Sequence, residues 1–283
     1  MEQKYGVERF TRPSFTNDTR KVNFPDGRPV EDAHECLPSL STKKVAVLVE
    51  MRTHLDWVYH VMHFIRTLDD DWPFVIYHSN HNEQMLRSNA ELQPHIQSGK
   101  VQLHLLKTIF SSGHSVSQFL THTPFWDALA PADHILIYQI DSTLCASSPH
   151  KIEDFFKYDY VGAPLDFSDD IEMPFNGGFS LRNRTAMIHV INHERPFEHP
   201  DNKIVWEDRW YSSVMARSSY PYRLPRGSVA ATFAVEIRFY PRPAGIHRPK
   251  ASLTRFSGED SLEKLLRNCP EGKLMPDDLG GDF

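Results

Sequence analysis

Between residues 44 and 138 the chain alternates short apolar runs with longer amphipathic stretches, and this alternation limits the fold more than any other feature. Lys44–Val49, Pro73–Tyr77, Val101–Leu106 and Ile135–Tyr138 are short and rich in Val, Ile, Leu and Tyr, as buried strands are. From Leu55 to Leu68 the apolar positions 55, 58, 61, 62, 65 and 68 recur at three- and four-residue spacing, which predicts a helix. Further helices are expected over Asn82–Ile96, with Pro94 late in it, and over Ser115–Leu129, broken near Pro124. Strands alternating with helices require right-handed crossovers, so the expected class is α/β with a Rossmann-like, mostly parallel central sheet flanked by helices.

Past Asp141 the pattern changes. Tyr160–Pro164 and Gly178–Leu181 read as short strands, 183–193 and 207–217 as helices, and Val229–Glu236 as strand-like, giving a mixed second half. Residues 1–43 show no sustained periodicity and are expected to form an irregular extension. One domain is expected over 44–250. Residues 251–283 then supply a short helix around Asp260–Arg267 and an acidic tail, Met275–Phe283.

The 283 residues carry a formal net charge of −6, with 31 Lys and Arg against 37 Asp and Glu, so no basic field is present to hold nucleic acid. Apolar runs fall far short of the roughly 18 residues a membrane span needs, so no membrane segment is expected in this chain. The first residues, Met1–Gly6, lack the apolar core of a signal peptide. Three widely spaced cysteines, Cys36, Cys145 and Cys269, argue against a disulfide framework or structural zinc. They are expected to be unpaired thiols of a reducing, cytoplasmic setting. A Golgi lumen stays open if a membrane anchor was trimmed from the chain. Nothing in the sequence sets the oligomeric state.

Asp141 ends the fourth apolar run, where open α/β sheets bind ligands. It is either a ligand for a divalent cation that bridges phosphates or a cap on the next turn. Gln139, two residues earlier, points the same way along an extended segment and could hydrogen-bond a nucleotide. His247 lies in Ala244-Gly-Ile-His-Arg-Pro249, read as a loop from its Gly and Pro content; it is a second metal ligand, favouring manganese, or a surface histidine. Asn176-Gly177-Gly178 opens a strand that runs to Arg182, and its paired glycines allow close backbone approach to a ligand or simply make a tight turn. Glu207 and Asp208 follow Trp206 at a helix start, where the dipole favours them and where one could act as a general base. Glu236 ends an apolar run and is placed behind the ligands. Glu50 and Arg52 follow the first strand, where a nucleotide base and phosphate would lie, or form an exposed loop pair. The five tryptophans, Trp57, Trp72, Trp126, Trp206 and Trp210, suit either sugar stacking or the core.

Taken in order, Tyr138-Gln-Ile-Asp-Ser142, Tyr160-Val-Gly-Ala-Pro164, Asn176-Gly-Gly-Phe-Ser-Leu-Arg182, Glu207-Asp208, Phe233-Ala-Val-Glu236 and Gly245-Ile-His247 resemble a family of unknown function common in fungi and related to GT-A-fold glycosyltransferases. The resemblance covers about residues 44–250. It implies transfer of a sugar from a nucleoside diphosphate, a UDP-sugar first, to a hydroxyl acceptor on a small molecule or glycan. It implies Mn2+ or Mg2+ as cofactor and, from the acidic pair, inversion. The family's Asp-x-Asp motif stands here as Gln139-Ile140-Asp141, so its first carboxylate is missing. Asp141 and His247 carry over as metal ligands. Asp208 carries over as base, with Glu207 as its substitute. Donor contacts fall to Glu50, Arg52, Gln139, Asp141, Asn176, Gly177, Gly178 and Arg182. Two other readings stay open: a non-catalytic nucleotide-sugar or glycan-binding protein, and a metal-dependent sugar-nucleotide hydrolase.

Overall fold

The computed structural model describes residues 42–54, 57–107, 110, 112–172, 174–194, 197 and 206–275. The chain divides into two units, Met1–Glu31 and Asp32–Phe283, and the first lies wholly outside the described residues. Most of the expected extension (1–43) and the acidic tail beyond Met275 also fall outside them.

A six-stranded sheet, in the order β3-β2-β1-β4-β7-β6, forms the centre. Strands β1 (Lys44–Glu50), β2 (Phe74–His78), β3 (Val101–Leu105) and β4 (His134–Tyr138) are parallel, and β7 (Phe175–Asn183) runs antiparallel to both β4 and β6 (Tyr160–Pro164). The fold class is therefore α/β, mostly parallel in its first half and mixed in its second, as the alternation predicts. Helix α1 (Trp57–Thr67) buries Val58, Val61, Met62 and Ile65 of the expected stripe and adds Trp57 and Phe64; Leu68 is buried just past its end, and Leu55 lies outside the described residues. The single helix expected over Asn82–Ile96 is two, α2 (Asn80–Ser88) and α3 (Gln93–Gln97). Asn89 separates them: its Oδ1 accepts from the N–H groups of Glu91 and Leu92, and Pro94 then starts the second helix. The next stretch likewise forms α4 (Gly113–Leu120) and α5 (Thr123–Ala128), with Pro124 in the first turn of α5.

After β6 and β7 come α6 (Arg184–His193) and α7 (Glu207–Arg217). The strand-like reading of Val229–Glu236 is corrected. Residues Gly227–Phe233 form α8, and only Ala234–Val235 are extended, as β8. Two alanines favour the helix, and Ala230 and Phe233, three apart, bury one face. The loop reading of Gly245–His247 is corrected too. These residues are β9, the middle strand of a small sheet with β5 (Ser142–Leu144) antiparallel on one side and β8 parallel on the other.

Helices α9 (Pro249–Ser257) and α10 (Glu259–Asn268) pack on this small sheet, so residues 251–275 belong to a second core rather than to a tail. That core holds Cys145, Val235, Ile246, Leu253, Leu265, Cys269 and Met275. Cys145 and Cys269, 124 residues apart, form a disulfide. For these two the expectation of unpaired thiols fails, because β5 and the end of α10 bring them to a Cα separation of 4.9 Å; Cys36 lies outside the described residues. The thiol argument for a reducing compartment falls with it. Among the described residues no helix is long and apolar enough to cross a membrane.

A core of seven residues beneath strands of two or three residues is marginal alone, so the crosslink matters. Cys145→Ala should lower unfolding free energy by roughly 2–5 kcal/mol in urea titration. Alkylation of the denatured, unreduced chain should leave Cys145 and Cys269 unlabelled until reductant is added. Full labelling without reductant would refute the pairing.

Candidate functional site

The small sheet brings together what the sequence holds far apart. Strand β5 follows Asp141 directly and pairs Ser142 with His247. The Arg248 N–H then donates to the Asp141 carbonyl at 3.0 Å, extending that ladder. Gln139 leaves β4 with its N–H on the Gly178 carbonyl at 2.8 Å, which ties the same turn to β7.

Three side chains converge there. His247 Nε2 lies 3.4 Å from Asp141 Oδ1 and 3.3 Å from Gln139 Oε1. Glu236 Oε2 lies 3.4 Å from the other ring nitrogen, Nδ1. A carboxylate on Nδ1 holds that N–H, so that loss of the Nε2 proton would turn the Nε2 lone pair toward the two oxygens, as behind many metal-binding histidines. Asp141 Oδ1 is buried and accepts no hydrogen bond among the described residues. Burial alone would lower the His247 imidazole, but the Asp141 and Glu236 carboxylates outweigh it and push it up to about 10. Burial likewise opposes ionisation of Asp141, yet His247 and Arg248 hold that carboxyl below its ordinary value. The imidazolium thus stands between two carboxylates, and a divalent ion bound at Nε2 would take the place of its proton.

The donor set passes a test of fit for a divalent ion. Two oxygens, Asp141 Oδ1 and Gln139 Oε1, lie 3.3–3.4 Å from one imidazole nitrogen. Among the described residues no group of three or more His, Cys, Asp or Glu could hold a metal. The third donor here is the Gln139 amide. An ion that completes its shell with phosphate oxygens and water needs no more than one or two protein carboxylates.

Gly178 makes room for this cluster. A Cβ there would stand 2.3 Å from His247 Nε2 and 2.4 Å from Gln139 Oε1. Its neighbour Gly177 faces a different group: a Cβ would meet Arg182 Nη2 at 2.6 Å and Glu207 Oε1 at 2.8 Å. Both glycines sit where β7 departs from its ladder. Ser180 pairs with Gly162 but Phe175 with Pro164, so the residues around Asn176–Phe179 bulge from the β6 pairing. Asn176 braces the bulge, its Oδ1 accepting from the Gly178 N–H at 2.7 Å.

Asp208 enters from the first turn of α7. Its Oδ2 accepts from the Gly177 N–H at 2.9 Å. The metal-type cluster and this carboxylate therefore meet consecutive residues of one strand. Burial, with Glu207 beside it, lifts Asp208 well above the ordinary carboxylate range; the N–H groups of Gly177 and Arg209, and the Arg182 charge, pull it back only in part.

Glu207 and Arg182 take other parts than expected. Arg182 is 0 % exposed, and its Nη2 donates to Glu207 Oε1 at 3.0 Å. Ser117 donates to the other Glu207 oxygen at 3.0 Å. The donor contact expected of Arg182 and the substitute-base role expected of Glu207 draw no support from this pairing, in which the Arg182 side chain is 0 % exposed and that of Glu207 10 %. Glu50 is buried as well, both its oxygens accepting from the Arg52 guanidinium at 2.8–2.9 Å. Arg52 is a quarter exposed, and the Asp141 charge acts on it. Of the tryptophans, Trp57, Trp72, Trp126 and Trp210 are core, and Trp206 is 45 % exposed.

Sequence reasoning passed over Arg248. Among the described residues it is the one non-glycine with positive φ (42°), and its Nε lies 3.6 Å from Asp141 Oδ2. Its position between His247 and Pro249 was the available signal, since a residue before proline is ordinarily extended. A surface hollow of about 220 Å³ lined by Glu194, Ser213, Val214, Arg217 and Ser218 lies at the far end of α7 and includes none of these groups.

No curated protein matches the chain. Its structure is similar to that of the apo-form glycosyltransferase GlyE of Streptococcus pneumoniae, at 13% identity over 73% of this chain and 54% of that one, with a TM-score of 0.44. It is also similar to the mannosyltransferase PcManGT of Pyrobaculum calidifontis, in complex with GDP-Man and Mn2+, at 14% identity over 67% and 56%, TM-score 0.41. Core-mannan synthase A of Aspergillus fumigatus, in a Mn/GDP form, matches at 10% identity over 66% and 69%, TM-score 0.38. The chain spans about half the length of the first two. Residues 100–247, more than half of the chain, match the model of the family described as "Protein of unknown function (DUF5672)", and the chain belongs to that family.

Proposed function

We propose that this chain is a GT-A-type glycosyltransferase that moves a sugar from a nucleoside-diphosphate donor to a hydroxyl acceptor with inversion. The observation that carries the reading is the pairing of two groups on one bulge of β7. A candidate metal-holding cluster of Gln139, Asp141 and His247 sits at Gly178, and a carboxylate of raised basicity, Asp208, sits at Gly177.

Asp141 and His247 would hold a divalent ion, with Gln139 beside them and Glu236 fixing the imidazole. Such an ion, Mn2+ in preference to Mg2+ because of the nitrogen ligand, would supply neutralising charge for a leaving diphosphate. Arg248, 3.6 Å from Asp141 Oδ2, and Arg52, on which the Asp141 charge acts, would add positive charge for phosphate oxygens. The donor's base falls near the end of β1, beside the Glu50–Arg52 pair. The bare backbone of Gly177–Gly178 leaves room for the sugar. Asp208 accepts the proton of the acceptor hydroxyl as that oxygen attacks the anomeric carbon.

Manganese binding, read by electron paramagnetic resonance with UDP and with GDP, tests the first half. Asp141→Ala and Gly178→Ala should each abolish it while leaving circular dichroism unchanged. Retention of full Mn2+ and nucleotide affinity in both variants would exclude this cluster as the metal site.

The second half is tested by turnover. Asp208→Asn should reduce it by roughly 10²-fold or more with donor binding little changed. A base works only when deprotonated, so wild-type turnover should fall as pH drops through the raised Asp208 pKa, above the ordinary carboxylate range. Proton NMR of the product should show an inverted anomeric centre. Retention, or near-normal turnover in Asp208→Asn, overturns the assignment of the base. Nucleotide-sugar binding without transfer across a broad acceptor panel would make the chain a binding protein instead.

A further inference from the structure

Arg182 is the buried charge that the transfer chemistry leaves without a task. Its guanidinium lies against the rings of Tyr160 and Tyr211, 5.0 and 5.7 Å from their centres. Its Nε donates to Ser180 Oγ at 3.0 Å, and Nη2 donates to Glu207 Oε1 and reaches the Gly177 carbonyl at 3.4 Å. Ser180 Oγ donates to that same carbonyl at 2.9 Å. So the Gly177 carbonyl is held by two groups, while the Gly177 N–H is offered to Asp208. Removing two charges from water is costly, and an apolar pair of equal volume often stabilises a core as well or better. Stability is therefore a poor explanation for an ion pair at this depth.

We propose that Arg182 and Glu207 are positioning residues for Asp208: the guanidinium fixes Glu207 and the Gly177 carbonyl, which aims the Gly177 N–H at the Asp208 carboxylate and sets a second negative charge beside it. This rests on the reading of Asp208 as the base. The groups that face Asp208 support it from three elements: Glu207 and the Arg209 N–H on α7, Arg182 and Gly177 on β7, and Tyr160 on β6. The Glu207 charge raises the basicity of Asp208, and Arg182 holds Glu207 in place beside it.

The experiment is a ¹³C-carboxyl NMR titration of Asp208 in the full chain without donor or acceptor, its resonance assigned by loss in Asp208→Asn. Glu207→Gln preserves the shape and the bond from Arg182, lets Ser117 turn to accept from the amide, and removes the charge. Its Asp208 midpoint should fall by about one pH unit or more. Ser180→Ala, a smaller change, removes one donor from the Gly177 carbonyl and should move the Gly177 amide resonance and the Asp208 midpoint together. A purely structural pair would move neither midpoint. An Asp208 midpoint unmoved or raised in Glu207→Gln overturns the proposal, as does an unmoved one in Ser180→Ala if the first variant does not fold. The titration needs no turnover, so it stands apart from the outcome of Asp208→Asn in the transfer assay, which tests the parent reading.

Discussion

Three residues of β9 hold the candidate site together. Gln139 and His247 are 108 residues apart in the chain, and their approach depends on the register of two strands only three residues long. A one-residue slip would turn His247 to the opposite face and place Ile246, now fully buried, against Asp141. Such short strands cannot set a register by their own hydrogen bonds. The register is pinned from both sides: β8 pairs along the far edge of β9, and the Cys145–Cys269 bond ties the end of β5 to the end of α10. The C-terminal helices thus serve the site through this crosslink.

The site is built from groups that a stable core would avoid. Asp141 Oδ1 is buried without a hydrogen bond, Arg248 holds a left-handed backbone, and the neighbouring carboxylates Glu207 and Asp208 share a poorly solvated turn. Each arrangement costs of order 1–3 kcal/mol in isolation. The large main core, with Trp57, Trp72, Trp126 and Phe179 fully enclosed, supplies the stability that offsets them. Local conflict of this kind collects where chemistry is done.

Much of the frame was legible because period and polarity report local geometry. The stripe in α1 and the runs of β1, β2 and β4 appear within a residue or two of where the pattern put them. The misreadings share a cause. Pro94 and the Asn89 turn divide a stretch whose apolar spacing alone looks continuous. Gly245–His247 looked like a loop because Gly and Pro mark turns, yet Gly245 is needed for close packing: a Cβ there would lie 2.4 Å from the Phe179 ring. Cys145 and Cys269 looked unpaired because spacing in sequence says nothing about distance in space.

The sequence by itself determined the βα alternation, the strand-end position of Asp141 and the kinds of residue available for chemistry, since these follow from periodicity and side-chain type. Only the tertiary structure decided which of those residues meet. It set His247 against Asp141 and Gln139, and it paired Arg182 with Glu207, leaving Asp208 on the Gly177 N–H. The physical reason is that burial and pairing depend on strand register and helix docking, which sum contacts from the whole chain, whereas a motif records only its own few residues.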